Sequence, residues 1–96
     1  MNVKLSQTLS WSGETGAHYQ VQVRSVSDIQ LHVLDVGTAT SIDLATLLAP
    51  VDLVANPSVG LRVRSRLADG TLPSDWSPEL EVTIVGFDPP TGLTVS

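Results

Sequence analysis

The sequence predicts an all-β chain folded as an antiparallel sandwich, and three observations carry that expectation. Apolar and polar residues alternate at period two through several stretches, most plainly in His18–Ser25 and in Leu61-Arg-Val-Arg-Ser-Arg66. Such alternation marks strands with one buried face. Clusters of Gly, Pro, Asp and Ser recur about every 8–12 residues, the spacing of hairpin-linked strands and not of strand–helix–strand units. Helical periodicity is weak almost everywhere.

Leu5 to Ser12 reads as a first strand, with Leu9 and Trp11 on one face and Ser10 and Ser12 on the other. Gly13-Glu-Thr-Gly16 is a turn. His18 to Ser25 is the second strand, with Tyr19, Val21 and Val23 inward and Gln20, Gln22 and Arg24 outward. Ser27-Asp28 breaks it. Ile29 to Val36 is the third, with Ile29, Leu31 and Val33 on a common face, and Gly37-Thr38 turns the chain again. Thr40 to Leu47 is the fourth, with Ile42 and Leu44 inward. Leu48 to Ser58 reads as a loop, with room for a short strand at Val51–Val54, because Pro50 and Pro57 limit any helix to about one turn. Val59 to Leu67 is the fifth strand, burying Leu61 and Val63. Leu80 to Val85 is the sixth, burying Leu80, Val82 and Ile84. Pro89-Pro90 reads as a stiff linker, and Thr-Gly-Leu-Thr-Val after it reads as the start of a seventh strand.

Bulk properties narrow the function classes. Ninety-six residues make one domain, and 42% hydrophobic content supports a packed core. A net charge of −5 and a pI near 4.6 disfavour nucleic acid and anionic membranes, which attract clustered positive charge. There is no cysteine, hence no disulfide framework and no thiolate site. No basic stretch leading into an apolar run stands after Met1, so no secretion signal is expected.

Several segments resemble the fibronectin type III family. LSWSG (Leu9 to Gly13) is similar to its strand B with the core tryptophan, and AHYQVQVRS (Ala17 to Ser25) to strand C. TSIDLATL (Thr40 to Leu47) resembles strand E. LRVRSRLADGTLPSDWSPELEV (Leu61 to Val82) resembles strands F and G with their hairpin. DPPTGLTVS (Asp88 to Ser96) looks like the linker and strand A that open such a module. The resemblance implies a seven-stranded antiparallel Greek-key sandwich, immunoglobulin-like, over residues 1–86. Residues 87–96 would form a Pro-Pro linker and the start of a following strand A. Two departures stand out. Val59 occupies the place of the family's corner tyrosine, and the stretch from Leu48 to Ser58 is longer than the usual connection, so that corner must be braced another way.

The ends leave three readings open. The tail opens a following module; or it completes the sheet of a neighbouring copy by strand exchange; or Asn2 to Leu5 makes a short strand A and the tail is loose.

No arrangement for catalysis is expected. His18 and His32 are the only histidines, placed at a strand start and on the outer face of the third strand, where solvated side chains are the simpler reading. Asp69 and Asp75 flank a turn without a calcium-ligand pattern. No cofactor and no metal are therefore expected. The informative feature is a row: Arg62, Arg64 and Arg66 alternate on one strand and project from one face. Glu79 and Glu81 alternate on the next strand and are expected to form cross-strand pairs with them. Trp76 is placed to stack on a guanidinium, and Arg24 and Gln22 extend the face. The row reads either as a self-neutralising solvated surface or as a binding face for an acidic glycan or a protein.

The sequence thus points to a non-catalytic spacer or interaction module of a larger multidomain protein. Its partners are expected to be neighbouring domains of the same polypeptide and a protein or glycan, with self-association through 87–96 as an open alternative. The resemblance extends to modules of bacteriophage tails and bacterial surface proteins, which implies a virion, extracellular or cell-surface location. The competing reading is an accessory, glycan-contacting module of a secreted bacterial carbohydrate-active enzyme.

Overall fold

A computed structural model describes residues 1–87 and 89–96; Asp88, part of the expected linker, lies outside them. The described residues are all-β apart from one helical turn. The strands are β1 (Asn2–Val3), β2 (Thr8–Ser10), β3 (His18–Ser25), β4 (Gln30–Gly37), β5 (Ser41–Asp43), β6 (Ser58–Arg66) and β7 (Leu80–Ile84), with α1 (Leu44–Leu47) between β5 and β6. Five strands form one sheet in the order β1-β7-β6-β3-β4, and β2 pairs with β5 in a second.

The sheet is mixed and not purely antiparallel. β1 runs parallel to β7, with Val3 beside Ile84, while β7, β6, β3 and β4 pair antiparallel. The expected first strand divides. Residues 4–7 turn the chain between β1 and β2, and the Lys4 amide donates to Gln7 Oε1 at 2.8 Å. Leu9 and Trp11 still face the core and Ser10 and Ser12 face out.

β3 carries the core as its alternation predicts: Tyr19, Val21 and Val23 are buried. The two valines pack with Val3, Leu61, Val59 and Val82 from the large sheet and with Leu44, Leu47 and Leu48 from the connection, while Tyr19 meets the Trp11 ring edge-on. β4 departs from strict alternation. Its pairing with β3 shifts between Tyr19 and Gln20 and again between Val23 and Arg24. Each shift inserts an extra residue and changes the facing of the residues beyond it. Leu31, Leu34 and Val36 therefore pack on the core, whereas Val33 pairs with Gln22 and Ile29 lies exposed before the strand. His32 stands beside the inward-facing Val23, not among the outward residues of β3.

The fourth strand stops at Asp43. Leu44, Leu47 and Leu48 are spaced at i, i+3 and i+4, and the one turn of α1 places all three in the core. No strand forms at Val51–Val54. The corner left without a tyrosine is held by Asp52, whose Oδ1 accepts from the Val54 and Ala55 amides at 3.1 and 3.2 Å. Asn56 caps the Asp52 carbonyl through its own amide at 2.9 Å, and Val59 fills the core beneath.

The fifth strand ends at Arg66, leaving Leu67 exposed, and Leu80 lies at the surface where the sequence places it inside. In the tail, Leu93 and Val95 are fully exposed and no seventh strand forms there.

Candidate interaction face

The outer face of the large sheet collects the residues singled out from sequence. β3 and β6 are in register along their whole length, so Gln20 lies beside Arg64, Gln22 beside Arg62 and Arg24 beside Gly60. The three β6 arginines project together, and each guanidinium is already engaged. Arg64 Nε donates to Gln20 Oε1 at 2.7 Å and Arg62 Nε to Gln22 Oε1 at 3.2 Å. Gln22, buried, passes the chain on by donating Nε2 to Gln30 Oε1 at 3.0 Å. Arg66 Nη2 meets Asp35 Oδ1 at 2.7 Å. Arg24 bridges two carboxylates, Asp28 at 3.0 Å and Glu79 at 3.1 Å.

The expected Arg–Glu rungs are only partly present. β6 pairs with β7 from Ser58 to Leu61, which places Glu81 opposite Gly60 and not opposite an arginine. Glu79, just before β7, reaches over Gly60 to Arg24 and stands 4.0 Å from Arg62. Past Leu61, β6 has no β7 residues beside it, so glutamines and an aromatic ring replace the carboxylates.

That ring is Trp76. Its segment lies along the upper half of β6 through a serine device. The Ser74 and Ser77 amides donate to the carbonyls of Ser65 and Val63 at 2.7 and 2.8 Å. Their hydroxyls accept from the amides of the same two residues at 3.0 Å each. Two serines thus satisfy backbone groups that a regular strand would have satisfied, and turn Trp76 onto the arginines. The Arg64 guanidinium carbon stands 4.5 Å from the ring centre and that of Arg62 5.9 Å. All five residues, Arg24, Arg62, Arg64, Arg66 and Trp76, therefore share one ladder. Sequence reasoning missed Gln20, Asp28, Asp35, Ser74 and Ser77 as its partners. The outward phase of β3 pointed to the glutamine; nothing local pointed to the two aspartates, which lie in a turn and on the neighbouring strand.

Electrostatically, Arg24, Arg62 and Arg66 meet three carboxylates, those of Asp28, Asp35 and Glu79. Among the described residues Arg64 has a glutamine and a ring but no carboxylate. Arg66 Nε is out of solvent without an acceptor among the described residues. Trp76 itself is half-buried. No group of three or more His, Cys, Asp or Glu is placed to hold a metal ion among the described residues.

No family model, curated protein or solved structure matches this chain.

Proposed function

We propose that the chain is a non-catalytic spacer module, a fibronectin type III-like sandwich that holds neighbouring domains of a larger protein at a fixed separation. A bacteriophage tail or bacterial surface protein is the setting that the resemblance of its segments favours. The supporting observation is the state of the arginine ladder. Every guanidinium is tied to a glutamine, a carboxylate or the Trp76 ring of the same chain. A ligand would have to displace those partners, and stacking on Arg64 occupies the ring that a sugar would need. Bonds among three strands and the loops beside them instead stiffen the face, which is what a spacer requires.

The test joins binding to rigidity. The chain is expected to show one cooperative unfolding transition, lowered by Trp76→Ala, and no retention on a panel of soluble and insoluble polysaccharides, heparin included. Retention that disappears in Trp76→Ala would replace the spacer with a glycan-contacting module.

A further inference from the structure

β2 is an edge with an open groove beside it. It pairs only with β5, and Leu9 with Ile42 sits between the flanking bonds Leu44 N–H to Gln7 and Trp11 N–H to Thr40. By the alternation of an antiparallel ladder, the main-chain groups of Thr8 and Ser10 point the other way. On that side lies a groove of about 370 Å³, floored by Leu9, Trp11, Leu61, Val63, Pro78 and Leu80. It accounts for the exposure of Leu80 and for the half-buried Trp11, whose Nε1 is out of solvent without an acceptor among the described residues.

The same chain carries a segment with the complementary properties. Thr91 to Val95 has apolar Leu93 and Val95 at period two, both fully exposed, and no charged side chain occurs from Pro89 to Ser96. An uncharged strand suits an apolar floor, since a buried unpaired charge would be costly. Five extended residues span about 17 Å, the length of the edge from Thr8 to Ser12. The radius of gyration of 15.3 Å exceeds the roughly 12 Å of a compact chain this long, consistent with a tail that stands clear of the sandwich.

We propose that Thr91–Val95 of a second copy adds to the free edge of β2, with Leu93 and Val95 turned into the groove, and joins copies head to tail. The polarity fits. β7 and the tail leave at the pole where Gly86 accepts from the Leu5 amide at 2.7 Å, and the groove reaches Ser12 and Ser74 at the other pole. A tail arriving from a copy above runs antiparallel to β2. Within one chain the tail leaves at the pole away from Ser12 and Ser74, and the edge of β7 beside Thr83 and Ile84 is already taken by β1. Pro89 and Pro90 stiffen the chain ahead of Thr91. Donor and acceptor at opposite poles form a heterologous contact, which builds open filaments, or rings where the rotation closes, and not a two-fold dimer. This extends the spacer reading to how units join, and can fail alone: a strictly monomeric chain that binds no glycan leaves the spacer standing.

Sedimentation equilibrium on the full chain tests it against Leu93→Asp/Val95→Asp, whose side chains are solvent-exposed in the monomer, so folding is spared. The mass of the unaltered chain should rise with concentration above 10.2 kDa and pass that of a dimer, while the variant stays at the monomer value. A peptide copying 89–96 should then raise the unfolding temperature of the variant. In a Trp76→Phe background it should also shift Trp11 emission to the blue. A fixed monomer mass for the unaltered chain, equal association by the variant, or a peptide without effect would each overturn the proposal.

Discussion

The guanidinium carbon of Arg64 lies 4.5 Å from the centre of the Trp76 ring, and its Nε is held at 2.7 Å by Gln20. The glutamine fixes the plane of the cation and the two serines fix the ring, so neither side chain has to be ordered by the stacking itself. The pair should contribute a coupling of about 0.5–1 kcal/mol. A double-mutant cycle of Arg64→Ala and Trp76→Ala, read by urea unfolding, measures it. Additive effects would mean that the ring merely covers β6.

The serine device makes a sharper prediction. Ser77→Ala removes the acceptor of the Val63 amide, a half-buried bond in the middle of β6. Ser74→Ala removes the acceptor of Ser65 at an exposed position, where water replaces it. Leaving a buried donor unmet costs about 1–3 kcal/mol, so Ser77→Ala should destabilise clearly more than Ser74→Ala. Hydrogen exchange at the Val63 amide should accelerate in Ser77→Ala. Equal losses for the two variants would contradict the assignment.

These two cases show what the sequence made legible. The alternating arginines and the tryptophan beyond the turn were visible because period two is a local property of β6. Their partners were not, because register is set by the pairing of whole strands across both sheets. Ending the β6–β7 pairing at Leu61 moved the carboxylates off the rungs, and no local pattern marks that end. The same holds for β4, where two register shifts reset the phase that sequence alternation had assigned to Val33. The spacing of Leu44, Leu47 and Leu48 suits a helical turn, but the strand pattern running into it from Ile42 masks it in the sequence. The two-residue β1 is too short to carry any periodicity.

Gly60 lies under the carboxylate of Glu79, and a Cβ there would collide with that side chain. Gly60→Ala should therefore push Glu79 aside and break its ion pair with Arg24. A partly exposed pair of this kind is worth at most about 1 kcal/mol, so the loss should be of that order. In a Glu79→Ala background the obstacle is gone. The same substitution should then be neutral or slightly stabilising, since alanine reduces the freedom of the unfolded chain. Chemical denaturation of the unaltered chain and the three variants decides it; an equal penalty in both backgrounds would show that the backbone and not Glu79 resists the methyl group.

Leu47 is fully buried at the end of α1, against strands of both sheets. Leu47→Ala should cost about 2–5 kcal/mol, the range for a large core side chain whose cavity does not collapse. Ala45→Gly, on the exposed side of the same turn, should cost no more than about 1 kcal/mol. Thermal unfolding distinguishes the two. Comparable losses would mean that helix propensity, not packing, holds the corner.

The Asp69 carboxyl is held below its ordinary value, first by the Thr71 hydroxyl at 2.6 Å, then by the Thr71 amide at 2.9 Å, with a smaller contribution from Arg66. A carboxyl whose pKa is lower folded than unfolded adds stability while it is ionised. That contribution is complete above the ordinary value of 3.8 and disappears as pH falls through the lower folded value. The turn it closes contains Gly70, whose φ of 85° suits a residue without a side chain. Loosening is therefore expected only in acid, below pH 3.8, and locally, since the carboxyl is fully exposed. An NMR titration of the Thr71 amide should show a midpoint below that pH, abolished in Asp69→Asn, whose side-chain carbonyl still accepts but does not titrate. A midpoint at or above the ordinary value would show that Thr71 does not hold the charged form.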